Sequence, residues 1–160
     1  MKRRREKKKI LVVCTGNTCR SPLAEVIIAD HLSKGALNGS FTVLSGGISA
    51  QNKEPASEHA IQTASEIGLS LAKHASKKVN QSLLDKSDLI LCMTSAHKFY
   101  LLHNFEALQG KCFTLAECTA SRDVSDPYGQ DIDAYRGIAA HVQKLMPSLA
   151  NFLTKFFHLA

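Results

Sequence analysis

The chain has 160 residues, 44% of them hydrophobic and 21% charged, which is typical of one soluble globular domain with a substantial core. Its apolar runs, such as "ILVVC", fall well short of the roughly 18 residues that a membrane-spanning helix needs, so we expect no spanning segment. The formal net charge of +6 comes entirely from residues 1–9, "MKRRREKKK", which hold seven basic residues and one acidic residue.

The basic block predicts a tail in front of a single domain. Because blocks of like charge repel and stay solvated, we expect residues 1–8 to be disordered and residues 9–160 to form the domain. The alternative is electrostatic contact of the tail with nucleic acid, anionic lipid or an acidic partner. The apolar run behind the tail is shorter than the roughly 7–15 residues of an export signal, so we expect a cytoplasmic protein.

Strands and helices alternate along the rest of the chain. The strands are predicted at 9–14, 41–47, 88–93 and 111–117, and the helices at 22–34, 55–68, 95–108 and 132–159. This alternation predicts an α/β fold: a four-stranded parallel sheet with helices on both faces, and a ligand site at the carboxyl ends of the strands. The first loop, between strand 1 and helix 1, lies at that edge.

Local signals define how the first two helices begin and end. Ser21 is a possible N-cap of the first helix, and Pro22 suits its first turn. Pro55 stands at the predicted start of the second helix, and Gly68 marks its end.

The later segments are predicted from apolar spacing and breakers. Phe99, Leu102 and Phe105 are spaced to face the core from the helix at 95–108. Residues 118–131 are predicted to be a loop, and Pro147 predicts a bend in the last helix.

The first loop, "CTGNTCRS", combines a thiol with features of an anion site. Backbone N–H groups that lead into a helix N-terminus attract anions and favour a thiolate at Cys14. Arg20 can bind a tetrahedral oxyanion through two parallel hydrogen bonds. Gly16 is expected to let the backbone turn without obstructing a ligand, and Ser21 can donate to the sulfur. A nucleophile beside a phosphate site predicts phosphoryl transfer through a cysteinyl-phosphate.

A second loop, "VSDPYG", offers the proton that a leaving group needs. Asp126 is a candidate general acid, Pro127 stiffens the segment, and Tyr128 can form a wall of the cleft. Taken alone, an Asp-Pro pair is more often a plain turn. Together with the cysteine loop it predicts a catalytic pair.

From residue 9 onward the chain resembles the low-molecular-weight protein-tyrosine-phosphatase family. The matching segments are "CTGNTCRSPLAE", His74 in "AKHASKKV", "DLILCMTSAH" and "SDPYG". The resemblance implies a Cys14 nucleophile, an Arg20 phosphate clamp and an Asp126 general acid, without metal or cofactor. It further implies a supporting hydrogen-bond set of Asn17, Ser21 and His74. The expected substrate contacts are Thr15, Gly16, Asn17, Thr18, Cys19, Ser21 and Tyr128. The expected partner is a phosphorylated protein; the resemblance gives no oligomeric state.

Residue 18 bears on the substrate. Tyrosine-directed relatives often have Ile there, and the Thr18 hydroxyl can hydrogen-bond a water or a substrate nitrogen. "CTGNTCRSP", "LCMTSAHK" and "FTLAE" look more like the bacterial protein-arginine-phosphatase branch. We therefore favour phosphoarginine over phosphotyrosine as the substrate.

Five cysteines, an odd number without an export signal, predict reduced thiols rather than a disulfide framework. With no C-x-x-C pair and no zinc-type His spacing, we expect no metal site. Cys19 lies five residues after Cys14 and could form a reversible, protective disulfide with it; a simple packed thiol is the alternative. Cys92, Cys112 and Cys118 are expected to be core or surface thiols.

Two other functions compete with a phosphatase. An arsenate reductase uses the same anion loop, but it needs further cysteines to relay a disulfide, and Cys92 has no partner within about ten residues. Its loop usually ends in R-S-Q rather than R-S-P. A non-catalytic phosphate-binding or nucleic-acid-binding module, led by the basic tail, would not require Cys14 together with Asp126.

Overall fold

A computed structural model describes residues 5–159; the first half of the predicted basic tail, residues 1–4, lies outside the described residues. The strands are β1 (Lys8–Cys14), β2 (Phe41–Gly47), β3 (Leu89–Cys92) and β4 (Cys112–Thr114). The helices are α1 (Arg20–Lys34), α2 (Glu58–Glu66), α3 (Gln81–Asp85), α4 (Ser95–Asn104), α5 (Leu115–Thr119) and α6 (Ile132–Phe156).

The four strands form one parallel sheet in the order β2-β1-β3-β4, as predicted. Side chains of β1 alternate between two apolar layers, because successive strand residues point to opposite faces. Ile10, Val12 and Cys14 join the core under α1, α2, α5 and α6. Leu11 and Val13 join a second core under α3 and α4. The sheet is therefore covered on both faces.

The sheet places the carboxyl ends of its two central strands and of β2 at one edge. β1 ends at Cys14, which pairs with Gly47, the last residue of β2. On the other side Val13 pairs with Cys92, the last residue of β3. The loop that follows β1 is therefore flanked by the ends of both neighbouring strands.

The first two helices begin differently from the prediction. α1 starts at Arg20, with Cys19 as its N-cap and no side-chain capping bond, so Ser21 is a helical residue and not the cap. α2 starts at Glu58 and is capped by the Ser57 side chain, so Pro55 lies outside the helix. Gly68 follows the end of α2 with φ at 78°, a left-handed conformation that suits glycine, which confirms it as a stop signal.

The predicted core face of α4 is wrong. The Phe99 side chain is 73% exposed and Leu102 is 41% exposed, whereas His97 and Leu101 are buried. The helix ends at Asn104, before Phe105, which packs only partly against the core. The spacing of three residues is compatible with a helical face, but the helix turns its His97 and Leu101 side inward.

The strand predicted at 111–117 is two elements. β4 ends at Thr114, and "TLAE" then forms a reciprocal capping box in which Thr114 and Glu117 bind each other's backbone N–H groups. α5 follows, so the predicted loop begins at Ala120 rather than at residue 118. The T-x-x-E pattern is a sequence signal for this helix start.

α6 continues through Pro147 without interruption. Proline removes one backbone donor, which leaves the carbonyl of Gln143 without its helical partner. Both residues are exposed, so water can replace that bond.

At the amino-terminal boundary, Lys8 belongs to β1 and not to a tail, because its N–H donates to the Ser40 carbonyl. All five cysteines are free and buried, so Cys92, Cys112 and Cys118 are core thiols. Among residues 5–159, no helix is both long and apolar enough to cross a membrane.

Candidate active site

The loop between β1 and α1 turns its carbonyl oxygens outward. Those of Cys14 and Thr15 accept the N–H groups of Ile48 and Ser49, and that of Thr18 accepts from Ser57. The Asn17 carbonyl accepts from His74 Nε2 at 2.7 Å.

Because the N–H and C=O of one trans peptide point in opposite directions, the N–H groups of the following residues point into the loop. These are the N–H groups of Thr15, Gly16, Thr18 and Cys19. None of them donates to an acceptor within residues 5–159. The loop is therefore a concave set of unpaired donors, as an anion site requires.

The Cys14 sulfur lies against two donors. The Asn17 N–H donates to Sγ at 3.3 Å, and Ser21 Oγ lies 2.9 Å from Sγ. Ser21 Oγ already accepts from Asn17 Nδ2 at 2.8 Å. Its own hydrogen can go to the sulfur at 2.9 Å or to the Gly46 carbonyl at 3.5 Å, and the contact with the sulfur is the shorter one. The surroundings of the sulfur therefore suit a thiolate, which accepts hydrogen bonds and donates none.

Asn17 connects the loop to distant parts of the chain. Its backbone is left-handed, with φ at 57°, and its side chain is fully buried. Nδ2 also donates to Ser45 Oγ at 2.9 Å, and Oδ1 accepts the Lys77 N–H at 2.9 Å. Asparagine tolerates this conformation better than most residues and supplies both donors and an acceptor. It therefore fixes the shape of the loop.

The left-handed residue of the loop is Asn17 and not Gly16, so the turn does not require a positive φ at Gly16. A Cβ placed on Gly16 would approach only Thr18 Oγ1, at 3.8 Å. Close approach of a ligand remains the reason to expect glycine there.

Gly47, which the sequence did not single out, is required by packing. A Cβ there would lie 2.6 Å from the Thr15 carbonyl oxygen and 2.9 Å from the Asn17 nitrogen. Backbone hydrogen bonds with Lys77 and Val79 hold Gly47 in place. The anion loop can therefore pack on β2 only if residue 47 has no side chain.

Gly47→Ala is expected to lower the free energy of unfolding by about 1–3 kcal/mol, because backbone atoms of the loop must move. Urea denaturation measures this. Gly35→Ala is the control, since no atom lies within 4 Å of a Cβ at that position. Equal stabilities of the two variants would contradict the packing requirement.

A second layer of polar groups extends behind Asn17. Ser45 Oγ donates to Glu25 Oε2 at 3.1 Å, and His74 Nδ1 lies 3.9 Å from the same oxygen. The His74 side chain is only 6% exposed, so it is not a surface residue. The structure thus brings together the predicted set of Asn17, Ser21 and His74, and adds Ser45 and Glu25.

Burial raises the pKa of Glu25, and the hydrogen bond from Ser45 and the charges of His74 and Lys77 only partly oppose this. At a pH between 4.5, the pKa of Glu25 in the unfolded chain, and its higher pKa in the folded chain, the unfolded chain has released a proton that the folded chain still holds. The contribution of Glu25 to stability is therefore largest at low pH and declines as pH rises through that interval. Glu25 and His74 line an open cleft of about 1060 Å³, through which the carboxyl group can exchange protons.

Glu25→Gln is expected to gain stability relative to the wild type as pH rises from about 4.5, because glutamine does not ionise. Chemical denaturation at a series of pH values measures the difference. Glu66 is a control of opposite sign, since its bonds to Arg136 lower its pKa to about 2. Glu66→Gln should therefore lose stability relative to the wild type as pH rises from about 2 to 4.5. If the stability difference between Glu25→Gln and the wild type did not change with pH, the raised pKa of Glu25 would be contradicted.

Arg20 is buried at the mouth of the loop, with its side chain 7% exposed. Nη1 donates to the Val124 carbonyl at 3.2 Å, and Nη2 donates to Thr15 Oγ1 at 3.3 Å. Nη2 also lies 3.5 Å from Asp126 Oδ2. The guanidinium is therefore held by both loops that the sequence singled out.

The structure brings the predicted general acid to the phosphate clamp. Asp126 is half exposed and accepts the Tyr128 N–H at Oδ1, 3.0 Å away, which leaves Oδ2 facing Arg20. Tyr128 itself is 79% exposed at the rim. The turn that the Asp-Pro pair forms is thus also the element that presents a carboxylate to the site.

The two other predicted loop residues differ in exposure. Thr18 is partly exposed, whereas Cys19 is buried. The Cys19 sulfur lies 3.3 Å from Tyr135 OH and 3.6 Å from Ser57 Oγ. Its redox function stays a prediction.

Cys92 has no cysteine near it in the sequence, but it has one in the fold. The Cys112 sulfur lies 4.0 Å from the Cys92 sulfur, on the adjacent strand. Both belong to the core under α3 and α4, whereas Cys14 belongs to the core on the opposite face of the sheet. The pair is therefore poorly placed to relay a disulfide from Cys14. Within residues 5–159, no group of three or more His, Cys, Asp or Glu residues could hold a metal ion.

Sequence reasoning missed four residues of the site, although each had a signal. Ser45 follows the apolar part of β2 at the same sheet edge as Cys14. Glu25 is four residues after Ser21 and so shares its helix face. His97 follows β3, and Gly47 ends β2. The rule that ligand sites lie at strand ends points to three of the four.

Comparison with known proteins agrees with this geometry. The family model for low molecular weight phosphotyrosine protein phosphatase matches residues 9–157. The chain belongs to this family. A protein-arginine-phosphatase of Bacillus subtilis is 37% identical, with 91% of this chain and 97% of the relative covered. A probable low molecular weight protein-tyrosine-phosphatase EpsP of Ralstonia nicotianae is 32% identical, with 86% and 90% covered.

Solved structures of the phosphatase family superimpose closely on the chain. A YwlE arginine phosphatase mutant with a phosphorylated active-site serine has a TM-score of 0.87 and 36% identity. The alignment covers 95% of this chain and 99% of that structure. A phosphorylated residue in the active site of a relative is consistent with a covalent phosphoenzyme in this family of protein phosphatases.

Proposed function

We propose that this phosphatase hydrolyses phosphoproteins through a phosphate ester of the Cys14 sulfur. The observation that supports this most is the inward orientation of the loop N–H groups around a sulfur that two donors contact. The loop N–H groups and Arg20 can bind the three equatorial oxygens of the phosphoryl group during its transfer. The positive field thus comes from the protein itself.

The reaction proceeds in two steps. The Cys14 thiolate attacks phosphorus in line, a sulfur–phosphorus bond forms, and the bond to the leaving group breaks. Protonated Asp126 supplies the proton that the leaving group needs. In the second step the Asp126 carboxylate takes a proton from water, which attacks phosphorus and releases inorganic phosphate and the thiolate.

An Asp126→Asn variant is expected to lose about 10²–10⁴-fold in kcat/KM with a phosphopeptide, because the leaving group of the first step departs unprotonated. The loss should be smaller with p-nitrophenyl phosphate, whose leaving group needs little protonation. Steady-state kinetics with both substrates measures the contrast. Asp133→Asn is the control, since Asp133 is exposed and pairs with Arg136. Equal losses for both substrates would contradict the acid function.

We infer that phosphoarginine is preferred over phosphotyrosine. Relatives named for each activity match the chain. The hydroxyl of Thr18, a partly exposed residue of the loop, supports the arginine branch. A hydroxyl can hydrogen-bond the guanidinium nitrogen of the leaving arginine, or the water that attacks phosphorus in the second step. An isoleucine side chain is apolar and can form neither hydrogen bond.

The test is kcat/KM on matched phosphoarginine and phosphotyrosine peptides, for the wild type and for Thr18→Ile. We expect the wild type to prefer phosphoarginine and Thr18→Ile to shift the ratio towards phosphotyrosine. Poor turnover of phosphoarginine by an otherwise active wild type would reverse the assignment.

We also infer that the protein is bacterial and lies in the cytoplasm. The relatives named above are bacterial, and five free thiols suit a reducing compartment. Contact of the basic tail with an acidic partner stays a prediction.

A further inference from the structure

His97 lies on α4, outside the motif loop, and both of its ring nitrogens have partners. Nδ1 accepts the N–H of Thr94, 3.2 Å away, and this bond completes the capping box at the start of α4. An acceptor at Nδ1 places the ring hydrogen on Nε2. Nε2 therefore donates to Thr15 Oγ1, 2.9 Å away.

Thr15 Oγ1 is shared by two donors. It accepts from His97 Nε2 and also from Arg20 Nη2, at 3.3 Å. A hydroxyl has two acceptor lone pairs, and both are then used. His97 thus fixes the position of the oxygen that holds the Arg20 guanidinium.

The hydroxyl competes with the acid for the same nitrogen. Arg20 Nη2 lies 3.5 Å from Asp126 Oδ2, on a half-exposed loop. If Thr15 offered no acceptor, the only partner left to Arg20 Nη2 would be the Asp126 carboxylate. The guanidinium would then be free to turn away from the anion loop. The remaining bond, from Nη1 to the Val124 carbonyl, does not fix this rotation.

We infer that His97 is a positioning residue which, through the Thr15 hydroxyl, holds the Arg20 guanidinium in the orientation that binds the phosphoryl oxygens. This inference rests on the proposed function of the loop as a phosphate site. It assigns to α4 a part in oxyanion binding, although no residue of α4 faces the sulfur directly in the contacts described above.

The charge state of His97 agrees with this arrangement. Burial, and then the positive charge of Arg20, lower the pKa of His97 to about 4, although Asp126 and Asp123 oppose the shift. The ring is therefore neutral near neutral pH. A second ring hydrogen at Nδ1 would face the N–H of Thr94 and disrupt the start of α4.

The experiment compares Thr15→Val, Thr15→Ser and His97→Leu, with His103→Leu as the matched control. His103 is on the same helix, is exposed and stacks on Phe99. Affinity for inorganic phosphate is measured by titration calorimetry, kcat/KM with a phosphate-ester reporter, and folding by thermal unfolding. We expect Thr15→Val and His97→Leu each to weaken phosphate binding and kcat/KM about tenfold, as for a hydrogen bond to a charged group.

Three further results follow from the same mechanism. Thr15→Ser should stay far closer to the wild type than Thr15→Val, because it keeps the hydroxyl. The double variant Thr15→Val/His97→Leu should be no worse than either single variant, since both break one chain of contacts. His103→Leu should match the wild type.

The outcomes separate the two proposals. An inactive wild type that binds no phosphate would refute the proposed function. An active wild type with Thr15→Val within twofold of it would overturn the positioning inference alone, as would fully multiplicative losses in the double variant. If His97→Leu unfolds, a Thr15→Val variant close to the wild type would still overturn the inference, because Thr15 is exposed and its substitution leaves the core intact.

Discussion

Cys14→Ser is expected to lose about 10⁴-fold or more in kcat with any phosphate-ester reporter, while the fold remains intact. Serine nearly matches cysteine in size, and the contacts with Ser21 and Asn17 can form with oxygen in place of sulfur. A serine hydroxyl, however, is a much weaker nucleophile than a cysteine sulfur. The variant should therefore retain affinity for inorganic phosphate but show almost no turnover.

Steady-state turnover and phosphate titration together measure this separation. Cys118→Ser is the control, because that cysteine is also buried but lies on α5, outside the anion loop. Alkylation of wild-type Cys14 by iodoacetamide, slowed by added phosphate, gives an independent readout. Substantial turnover by Cys14→Ser would rule out the cysteinyl-phosphate.

Arg20→Lys is expected to lower kcat/KM by about 10³-fold, although the positive charge is retained. Arg20 uses two nitrogens to reach Val124 and Thr15, so its fork has further N–H groups with which to bind an anion. A lysine has a single nitrogen and cannot bind these partners and two phosphoryl oxygens at once. Both phosphate affinity and kcat should fall, because the contact strengthens in the transition state.

The matched control is Arg136→Lys, which alters a bidentate contact with Glu66 on the surface. Its kinetics should match those of the wild type. Thermal unfolding checks that Arg20→Lys remains folded. A loss in kcat/KM of less than about tenfold would show that a positive charge alone suffices and that the planar guanidinium with its paired N–H groups is not needed.

The sequence predicts the sheet well because its central strands are continuous apolar runs. The segments "KILVVC" and "FTVLSGG" give β1 and β2 almost to the residue. The chemistry of Cys14 and Arg20 was accessible for the same reason: the loop follows a buried strand and precedes a helix, so its position at the sheet edge is determined.

Contacts between distant residues could not be read in this way. His74 lies 57 residues from Asn17, and His97 lies 82 residues from Thr15. The outward orientation of the loop carbonyls depends on the N–H groups of Ile48, Ser49 and Ser57, which only the folded chain brings near. The face of α4 was mispredicted because apolar spacing does not reveal that His97 must point inward to reach the loop.

The supports of the anion loop are spread over most of the chain. They come from the end of β2, from residues 74–77, from α4 and from the segment around Val124. Contacts of such sequence separation form late, because the entropy of closing long loops must be overcome first. A nascent chain that has emerged only through β2 thus contains the reactive thiol but no oxyanion site. Activity should return on refolding no earlier than the complete native state, and phosphate should protect the whole domain against unfolding.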